Sequence, residues 1–201
     1  MAKLKLSFYR QTNVAQISRD LIGKYLFSRI GNAGITGGII VETEAYAGPT
    51  DKASHAYRNR RTKRTEVMFS KGGVAYVYLC YGMYPLLNIV TNDKGIPHAI
   101  LLRAIQPTHG IPTMLKRRGK ANMDRSVAGG PGVLCKALGV DLSHNGEKLT
   151  GNTIWVEDRG NAVKKSQITA SPRVGVDYAG THAKWPWRFR IKNSQWTSKP
   201  T

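Results

Sequence analysis

Hydrophobic and polar positions near the start of the chain repeat with the period of a helix. Apolar side chains recur three or four residues apart, and Thr12 precedes them where a capping hydroxyl belongs. We therefore expect one amphipathic helix after Thr12. Its apolar face is predicted to carry Val14, Ile17, Leu21, Ile22 and Tyr25.

The middle of the chain has the pattern of β-strands. Its segments are rich in β-branched residues or alternate between apolar and polar positions, and turn residues separate them. Residues 92–95 (Asn-Asp-Lys-Gly) have the composition of a hairpin connection. Short links between adjacent strands favour an antiparallel meander over a parallel crossover unit. The strands predicted in this region cover 39–46, 74–80, 86–91 and 99–105.

The remaining segments complete the outline of one domain. Residues 50–71 are expected to form a long polar, basic loop, and residues 110–132 are polar and rich in glycine. Pro131 suits the first position of a short helix that runs to Leu138. Weaker strand patterns occur at 153–157 and 188–192. Since no repeat or linker-like change of composition interrupts the chain, we expect a single α+β domain over residues 1–201.

Charge adds a functional indication to this outline. The chain has 201 residues, with 31 Lys and Arg against 12 Asp and Glu, for a formal net charge of +19. A folded, aromatic-containing domain with this imbalance is typical of proteins that bind a polyanion. Nucleic acid is favoured over an anionic membrane, because no basic amphipathic helix is evident. The basic residues cluster as Arg58, Arg60, Arg61, Lys63, Arg64 and Lys71; as Lys116, Arg117, Arg118 and Lys120; and as Lys184, Arg188, Arg190 and Lys192, the last group among Trp185, Trp187, Phe189 and Trp196.

Several classes of protein are disfavoured. No apolar run approaches the ~18 residues of a membrane span, and the first residues lack the apolar core of a secretory signal. Cys80 and Cys135 are far apart, so neither a disulfide scaffold nor a Cys-rich zinc site is expected, and both thiols are expected to fill core space. The five His residues have no metal-ligand spacing. We expect no metal and no cofactor.

Acidic residues are scarce and concentrated. Three of the twelve, Glu42, Glu44 and Asp51, fall within ten positions of one another. In a strand, Glu42 and Glu44 point to the same face. A carboxylate near a polyanion is repelled by it, so one of these acids is expected either to pair with Arg or to act as a general base or charge stabiliser. The residue types alone do not decide between Glu42 and Glu44.

Aromatic residues crowd the same region. Tyrosines in strands usually pack against a sheet, but beside nucleic acid their faces also stack on bases. Tyr81 precedes Gly82 at a predicted turn, where it would project as a wedge into a base stack. Asn88 and Arg103 are polar residues in otherwise apolar strands, so each needs a partner within the protein or a ligand.

Four stretches of the chain form an ordered set of motifs. They are Val41–Tyr46 with Gly48-Pro49 and Ser54-His55; Tyr76–Tyr84 with Asn88; Leu101–Ala104; and Pro172–Val176. Together they resemble the alkyladenine (3-methyladenine) DNA glycosylase family, and the similarity spans about residues 8–197. The resemblance implies a compact α+β domain with a central, mainly antiparallel, curved β-sheet flanked by helices, and no metal.

The resemblance also implies roles for individual residues. A damaged nucleotide would rotate out of the duplex, and Tyr81 would fill the gap. The flipped base would lie between Tyr46 and His55 on one side and Tyr78 on the other, with Asn88 clashing with the 2-amino group of normal guanine.

The hydrolytic residues follow from the same resemblance. Glu44, rather than Glu42, would be the general base on a water that Glu44, Arg103 and the backbone carbonyl of Val174 hold. That water would attack C1′, and no lysine is placed as an amine nucleophile, so lyase activity is not expected.

The implied setting is DNA repair. The partner would be double-stranded DNA containing damaged purines, with the enzyme acting as a monomer without a membrane, in the bacterial cytoplasm at the nucleoid or in a eukaryotic nucleus. Thr65 departs from the family pattern, where Asn is common, so the DNA contacts of the 56–67 loop are not carried over. Two alternatives stay open: a non-catalytic basic nucleic-acid-binding protein, and an RNA-modifying or RNA-binding fold.

Overall fold

Antiparallel strands form most of the framework. A computed structural model describes residues 2–198, so Met1 and residues 199–201 of the expected domain lie outside it. Within that range, every strand pairing is antiparallel. The strands are β1 Ala2–Lys3, β2 Tyr25–Arg29, β3 Ile35–Ala47, β4 Ala75–Cys80, β5 Tyr84–Thr91, β6 His98–His109, β7 Ile154–Asp158, β8 Ile168–Ser171 and β9 Arg188–Ile191.

Short helices cover this sheet. The described α-helices are α1 Leu6–Tyr9, α2 Val14–Asp20, α3 Ile111–Arg118 and α4 Pro131–Leu138. Short 3₁₀ segments connect other elements, at Gly48–Thr50, Tyr57–Asn59, Glu66–Phe69, Arg125–Val127, Leu142–His144, Lys165–Gln167 and Asp177–Lys184, the last interrupted at Gly180. No helix in residues 2–198 has the length and apolar character needed to cross a membrane. The expected α+β fold with an antiparallel sheet is confirmed.

The long strand β3 organises the sheet. The main order is β1-β7-β2-β3-β6-β5-β4. One edge of β3 pairs with β6, while its other edge pairs first with β2 and then, from Glu42 to Glu44, with β9. Strand β9 also pairs with β8. The segment that holds the two Glu residues therefore has a strand on both sides.

Irregular pairing accompanies these Glu residues. In the β3–β6 ladder, Ile40 pairs with Ile105, Glu42 with Ala104 and Thr43 with Leu102, so Val41 and Arg103 are extra residues. A bulge bends a strand and redirects its side chains. This bulge places Arg103 within reach of both Glu42 and Glu44.

The first predicted helix requires correction. It spans only Val14–Asp20, and the side chain of Asn13, not Thr12, caps it by accepting a hydrogen bond from the N–H of Gln16. Gly23, with a φ of +88°, turns the chain, and Tyr25 begins β2 instead of continuing the helix. Leu21 and Ile22 continue the apolar spacing of the helix because they are buried, but they lie in the turn that follows it. The spacing therefore predicts a helix that is too long.

The other predicted elements fared differently. The strands expected in the middle of the chain and near residues 153–157 and 188–192 are present, and the short helix from Pro131 is confirmed. The glycine-rich 110–132 segment contains α3, which no pattern predicted. A proline in its first turn and Gly119 in the left-handed conformation after its last residue delimit it.

The 50–71 segment lacks α-helix and strand, as expected; its middle, residues 58–64, is exposed, but its two ends are packed. Its 3₁₀ turns place apolar side chains against the sheet, where Ala56, Met68 and Phe69 pack with Tyr76. This packing fixes the segment beside the outer strands β4 and β5. The loop therefore forms a wall rather than a mobile flap.

Candidate active site

An aromatic cavity of about 720 Å³ opens between the 53–68 segment, the strands β4, β5 and β6, and the segment around Val174. All but one of the residues that the resemblance selected line this cavity. The exception, Glu44, lies directly behind the lining residues Tyr46 and Val174, which bond it. The lining candidates are Tyr46, His55, Tyr78, Tyr81, Asn88, Arg103 and Val174. The fold thus brings together residues that are up to 128 positions apart in sequence.

Glu44 is fully buried and held by groups that face the cavity. Its Oε1 accepts from the backbone N–H of Val174 at 2.9 Å and lies 3.3 Å from Nη1 of Arg103. Its Oε2 accepts from the hydroxyl of Tyr46 at 2.7 Å. Each carboxylate oxygen offers two lone pairs. Among the described residues, Oε2 thus receives one hydrogen bond and keeps capacity for another.

Glu42 has a different environment, although it projects from the same strand. Its Oε1 accepts from Nε of Arg103 at 2.9 Å and from Nε of Arg188 at 2.7 Å. Burial acts to raise the pKa of Glu42, but Arg103, Arg188 and hydrogen bonds from Ser198 outweigh it and hold the pKa below its usual value. Glu42 is a buried, fully paired carboxylate and does not line the cavity. The alternative of a structural Glu–Arg pair therefore applies to Glu42.

Arg103 remains charged between the two acids. Burial opposes its charge, yet Glu44 and Glu42 raise the pKa of Arg103. Its position in the β6 bulge explains how one guanidinium reaches both carboxylates. The partner required by its apolar surroundings is thus within the protein.

Tyr46 is oriented by a second buried ion pair. Arg173 bonds both oxygens of Asp51 and donates from Nη1 to the carbonyl of Ala45 at 2.8 Å. The guanidinium carbon of Arg173 lies 4.8 Å from the ring centroid of Tyr46. Burial and the neighbouring Glu44 raise the pKa of Tyr46, so its hydroxyl stays protonated and donates.

His55 is neutral and fixed as one tautomer. Burial, with the cationic Arg64 and Arg60 nearby, lowers the pKa of His55 to about 4. Nη2 of Arg64 lies 3.2 Å from Nε2 of His55, and a guanidinium only donates, so Nε2 accepts. The proton is therefore on Nδ1, which lies 3.0 Å from the hydroxyl of Tyr76.

The rings expected to sandwich a base are in contact in the free protein. His55 meets Tyr78 edge to face, with ring centroids 4.7 Å apart, and the Arg64 guanidinium lies over Tyr78. A base between two parallel rings needs roughly 7 Å between their planes, twice the van der Waals contact distance. A base can enter between His55 and Tyr78 only if these groups separate.

Asn88 and Tyr81 occupy the floor and rim of the cavity. Asn88 is buried, and its amide nitrogen donates to the carbonyls of Tyr76 and Leu86 at 3.2 and 3.3 Å. Tyr81 is 87% exposed at the tip of the β4–β5 hairpin, with a φ of +51°. The turn thus presents a large aromatic side chain to solvent.

The structure reassigns several residues. Arg188 and Arg117, counted among the basic clusters, bond buried groups of the fold: Arg188 bonds Glu42, and Arg117 bonds the carbonyls of Ala137 and Ile30. Cys135 is buried as expected, whereas Cys80 lines the cavity and does not fill the core.

Sequence reasoning also missed roles for residues near the cavity. The sequence places Arg64 only in a basic cluster, and it places Tyr76 and Arg173 only within stretches that carry the family resemblance. Residues 2–198 bring no three His, Cys, Asp or Glu side chains into a group able to hold a metal ion.

Comparisons with known proteins identify the family. The model of the family described as methylpurine-DNA glycosylase (MPG) matches residues 7–195. A protein of Methanocella arvoryzae is 46% identical over 99% of this chain and 97% of its own length. Proteins of Chlamydia felis and of Bacillus cereus are 43% and 41% identical over 94% and 96% of this chain, and over 97% of their own lengths. All three carry the name "Putative 3-methyladenine DNA glycosylase".

The resemblance seen in the four sequence stretches is therefore confirmed over nearly the whole chain. The match places the protein among enzymes of DNA repair that act by base excision, with DNA as the substrate. The chain belongs to the methylpurine-DNA glycosylase family and is a DNA glycosylase of the 3-methyladenine type.

Proposed function

We propose that this enzyme excises alkylated or deaminated purines from double-stranded DNA by hydrolysing the N-glycosidic bond, with Glu44 as general base. One observation carries the proposal. The buried carboxylate of Glu44 is held by Tyr46, Arg103 and Val174, and all three line the aromatic cavity. A small shift of any of them opens Glu44 to a ligand in that cavity.

The chemistry follows from this arrangement. A water bound between Glu44, Arg103 and the carbonyl of Val174 gives its proton to Glu44 as its oxygen attacks C1′ of the sugar. The bond from C1′ to the base nitrogen breaks, and its electron pair leaves with the base. Because positive charge develops on the sugar in the transition state, the carboxylate stabilises it as well as accepting the proton. A cationic alkylated purine leaves as the neutral base, whereas a neutral purine such as hypoxanthine leaves as an anion that takes a proton from solvent; the other product is the abasic site.

Recognition takes place among the aromatic rings. The flipped base lies with Tyr46 and His55 on one side and Tyr78 on the other, after His55 and Arg64 have moved away from Tyr78. Purines alkylated at N3 or N7 are cationic in DNA, and the neutral state of His55 avoids repelling them. Asn88, held by two backbone carbonyls, opposes the 2-amino group of normal guanine.

Tyr81 fills the space that the flipped nucleotide leaves. Its exposure at the hairpin tip supports this role, because an aromatic wedge must reach the base stack without unfolding the protein. The net charge of +19 supports binding to the duplex backbone. Excision at a single lesion needs one active site, so the enzyme acts as a monomer.

The reaction stops at the abasic site. A lyase needs an amine that forms a Schiff base with the sugar. The part of the chain described here places no lysine among the residues that line the cavity. We therefore assign the enzyme a monofunctional activity.

Single-turnover excision tests the function. Duplexes with one ethenoadenine, one hypoxanthine or no lesion are incubated with wild type or Glu44→Gln, and abasic sites are revealed by alkaline cleavage. We expect cleavage at a lesion by wild type, none by Glu44→Gln, and none without alkali.

The other outcomes are equally informative. Tight binding to an abasic duplex without excision redirects the assay to release of 3-methyladenine from methylated DNA. If wild type is inactive there too and does not prefer abasic DNA over plain duplex, it is a non-catalytic binder. Full activity of Glu44→Gln removes Glu44 as the base.

A further inference from the structure

The segment that follows the last strand contacts the charged residues behind the cavity. Ser198 follows the last strand, β9, and is 6% exposed. Its backbone N–H donates to Oε2 of Glu42 at 2.6 Å, and its hydroxyl donates to Oε1 at 2.8 Å. The same hydroxyl accepts from Nη2 of Arg103 at 3.2 Å and from Nη2 of Arg188 at 3.1 Å. One serine thus joins three buried charges.

These contacts divide the donors of Arg103 into two sets. Nε donates to Glu42 and Nη2 donates to Ser198. These two hydrogen bonds together occupy one whole edge of the guanidinium. Only Nη1 approaches Glu44, at 3.3 Å. Arg103 therefore meets Glu44 through a single nitrogen.

If Arg103 bonded Glu44 through two nitrogens, Glu44 would be a poorer general base. An arginine free of Glu42 and Ser198 prefers to grip a carboxylate with two parallel N–H bonds, one to each oxygen. On Glu44, such a grip would compete with a water for the remaining capacity of Oε2. It would also pull the guanidinium away from the side of the cavity where that water binds.

We propose that Glu42 and Ser198 are positioning residues for the glycosylase reaction: they hold Arg103 by one edge, so that it presents Nη1 to the water and leaves Glu44 able to accept a proton. The inference rests on the proposed function, since it assigns a task to Arg103 in that reaction. Neither residue contacts the cavity. Their effect is transmitted wholly through Arg103.

The test separates positioning from stability. Ser198→Ala keeps every charge and the backbone N–H but removes the hydroxyl that accepts from Arg103. Thr197→Ala is the matched control, because within residues 2–198 its hydroxyl bonds only the carbonyl of Ser194 in the same segment. The measurements are the single-turnover excision rate at saturating enzyme, the dissociation constant for a duplex with a tetrahydrofuran abasic site, and the thermal midpoint.

We expect Ser198→Ala to lower the excision rate about 10-fold or more, since small displacements of catalytic groups cost up to ~100-fold. Binding to abasic DNA should stay within twofold of wild type, and Thr197→Ala should match wild type throughout. Glu42→Gln should lower the rate further. If Glu42→Gln does not fold, Ser198→Ala decides the question.

Two results would overturn the inference. If wild type excises a lesion and Ser198→Ala does so at the wild-type rate, Ser198 does not position Arg103. The inference also fails if Ser198→Ala loses abasic-DNA affinity and thermal stability along with its excision rate, because Ser198 then has only a structural role. Inactivity of wild type on every lesion removes the proposed function itself, and the inference with it.

Discussion

The guanidinium carbon of Arg64 lies 4.6 Å from the ring centroid of Tyr78, over the face on which a flipped base would stack. Arg64 also donates to His55, so it bridges the two rings that must separate. The free enzyme thus covers this base-binding face with one of its own cations.

Removal of this cation should favour base entry. A cation–π contact contributes about 0.5–2 kcal/mol, and the charge also repels cationic purines. In Arg64→Gln we expect affinity for a lesion duplex, relative to an abasic duplex, to rise about 2- to 10-fold in the Glu44→Gln background. Fluorescence anisotropy measures the dissociation constants for the lesion duplex and the abasic duplex. Because a lost contact from Arg64 to a DNA phosphate weakens binding to both duplexes alike, the ratio of the two constants is unaffected by it. Arg61→Gln, on the same segment, should not change the ratio. A fall in the ratio would mean that Arg64 itself holds the base.

Tyr46→Phe should slow excision while preserving the fold. The variant loses the hydrogen bond to Oε2 of Glu44 but keeps the ring beneath Arg173. Hydrogen bonds to charged groups contribute about 1.5–3 kcal/mol, so we expect a rate loss of roughly 10-fold or more in single-turnover assays. Tyr25→Phe, whose hydroxyl bonds Asn161 far along the sheet, is the control. Equal rates for both variants would exclude the hydroxyl from catalysis.

The Asp51–Arg173 pair should be important for stability. Both side chains are fully buried, and Asp51→Asn leaves Arg173 charged without its partner. We expect the free energy of unfolding in urea to fall by about 3–5 kcal/mol. Glu66→Gln breaks an exposed pair with Arg61 and should leave stability nearly unchanged. Similar losses in both variants would contradict this account.

His55 should make stability depend on pH in the weakly acidic range. Its pKa is about 4 in the folded protein against 6.5 for the free side chain. Between these values the unfolded chain binds a proton that the folded chain does not, so stability falls as pH drops from 6.5 towards 4. His98, whose pKa is also lowered by burial, acts in the same direction. Urea midpoints of His55→Gln should therefore fall less steeply with acid than those of wild type. Parallel curves would mean that folding does not lower the pKa of His55.

Tyr81→Gly should separate DNA binding from stability. Residue 81 has a positive φ that glycine adopts without strain, and its exposed ring makes few contacts to lose. We expect unchanged or higher thermal stability, but about 10-fold weaker binding to an abasic duplex, since stacking contributes about 1–3 kcal/mol per base. Affinity for undamaged duplex is the internal control. Equal weakening on both duplexes would argue against a wedge.

Much of the framework could be predicted from local patterns, because strand alternation and the proline at residue 131 act within a few residues. The failures had two kinds of cause. Tyr25 belongs to a strand that forms only because β3 and β7 lie on either side of it. Helix α3 has no predicted counterpart, although local signals mark it: a proline in its first turn and Gly119 after its last residue.

The site divides in the same way. Its residue types were evident, but the difference between Glu42 and Glu44 depends on a bulge and on partners from β6, β9 and Ser198. The two-residue repeat of a strand puts the carboxylates of Glu42 and Glu44 on one face. It does not indicate which of them lies beside a cavity. The family resemblance supplied that choice, and in the structure the groups that bond Glu44 line the cavity, whereas Glu42 is paired behind it.

The pair of hydrogen bonds from Ser198 to Glu42 has a consequence for the growing polypeptide. The two residues are separated by 156 positions, so a ribosome exposes strand β3 long before the segment that completes its charge balance. Until Ser198 emerges, Glu42 holds Arg103 through Nε, but Nη2 of Arg103 is without its serine acceptor. If Ser198 positions Arg103 as proposed, excision at the full rate would begin only once residue 198 has been synthesised and folded into place.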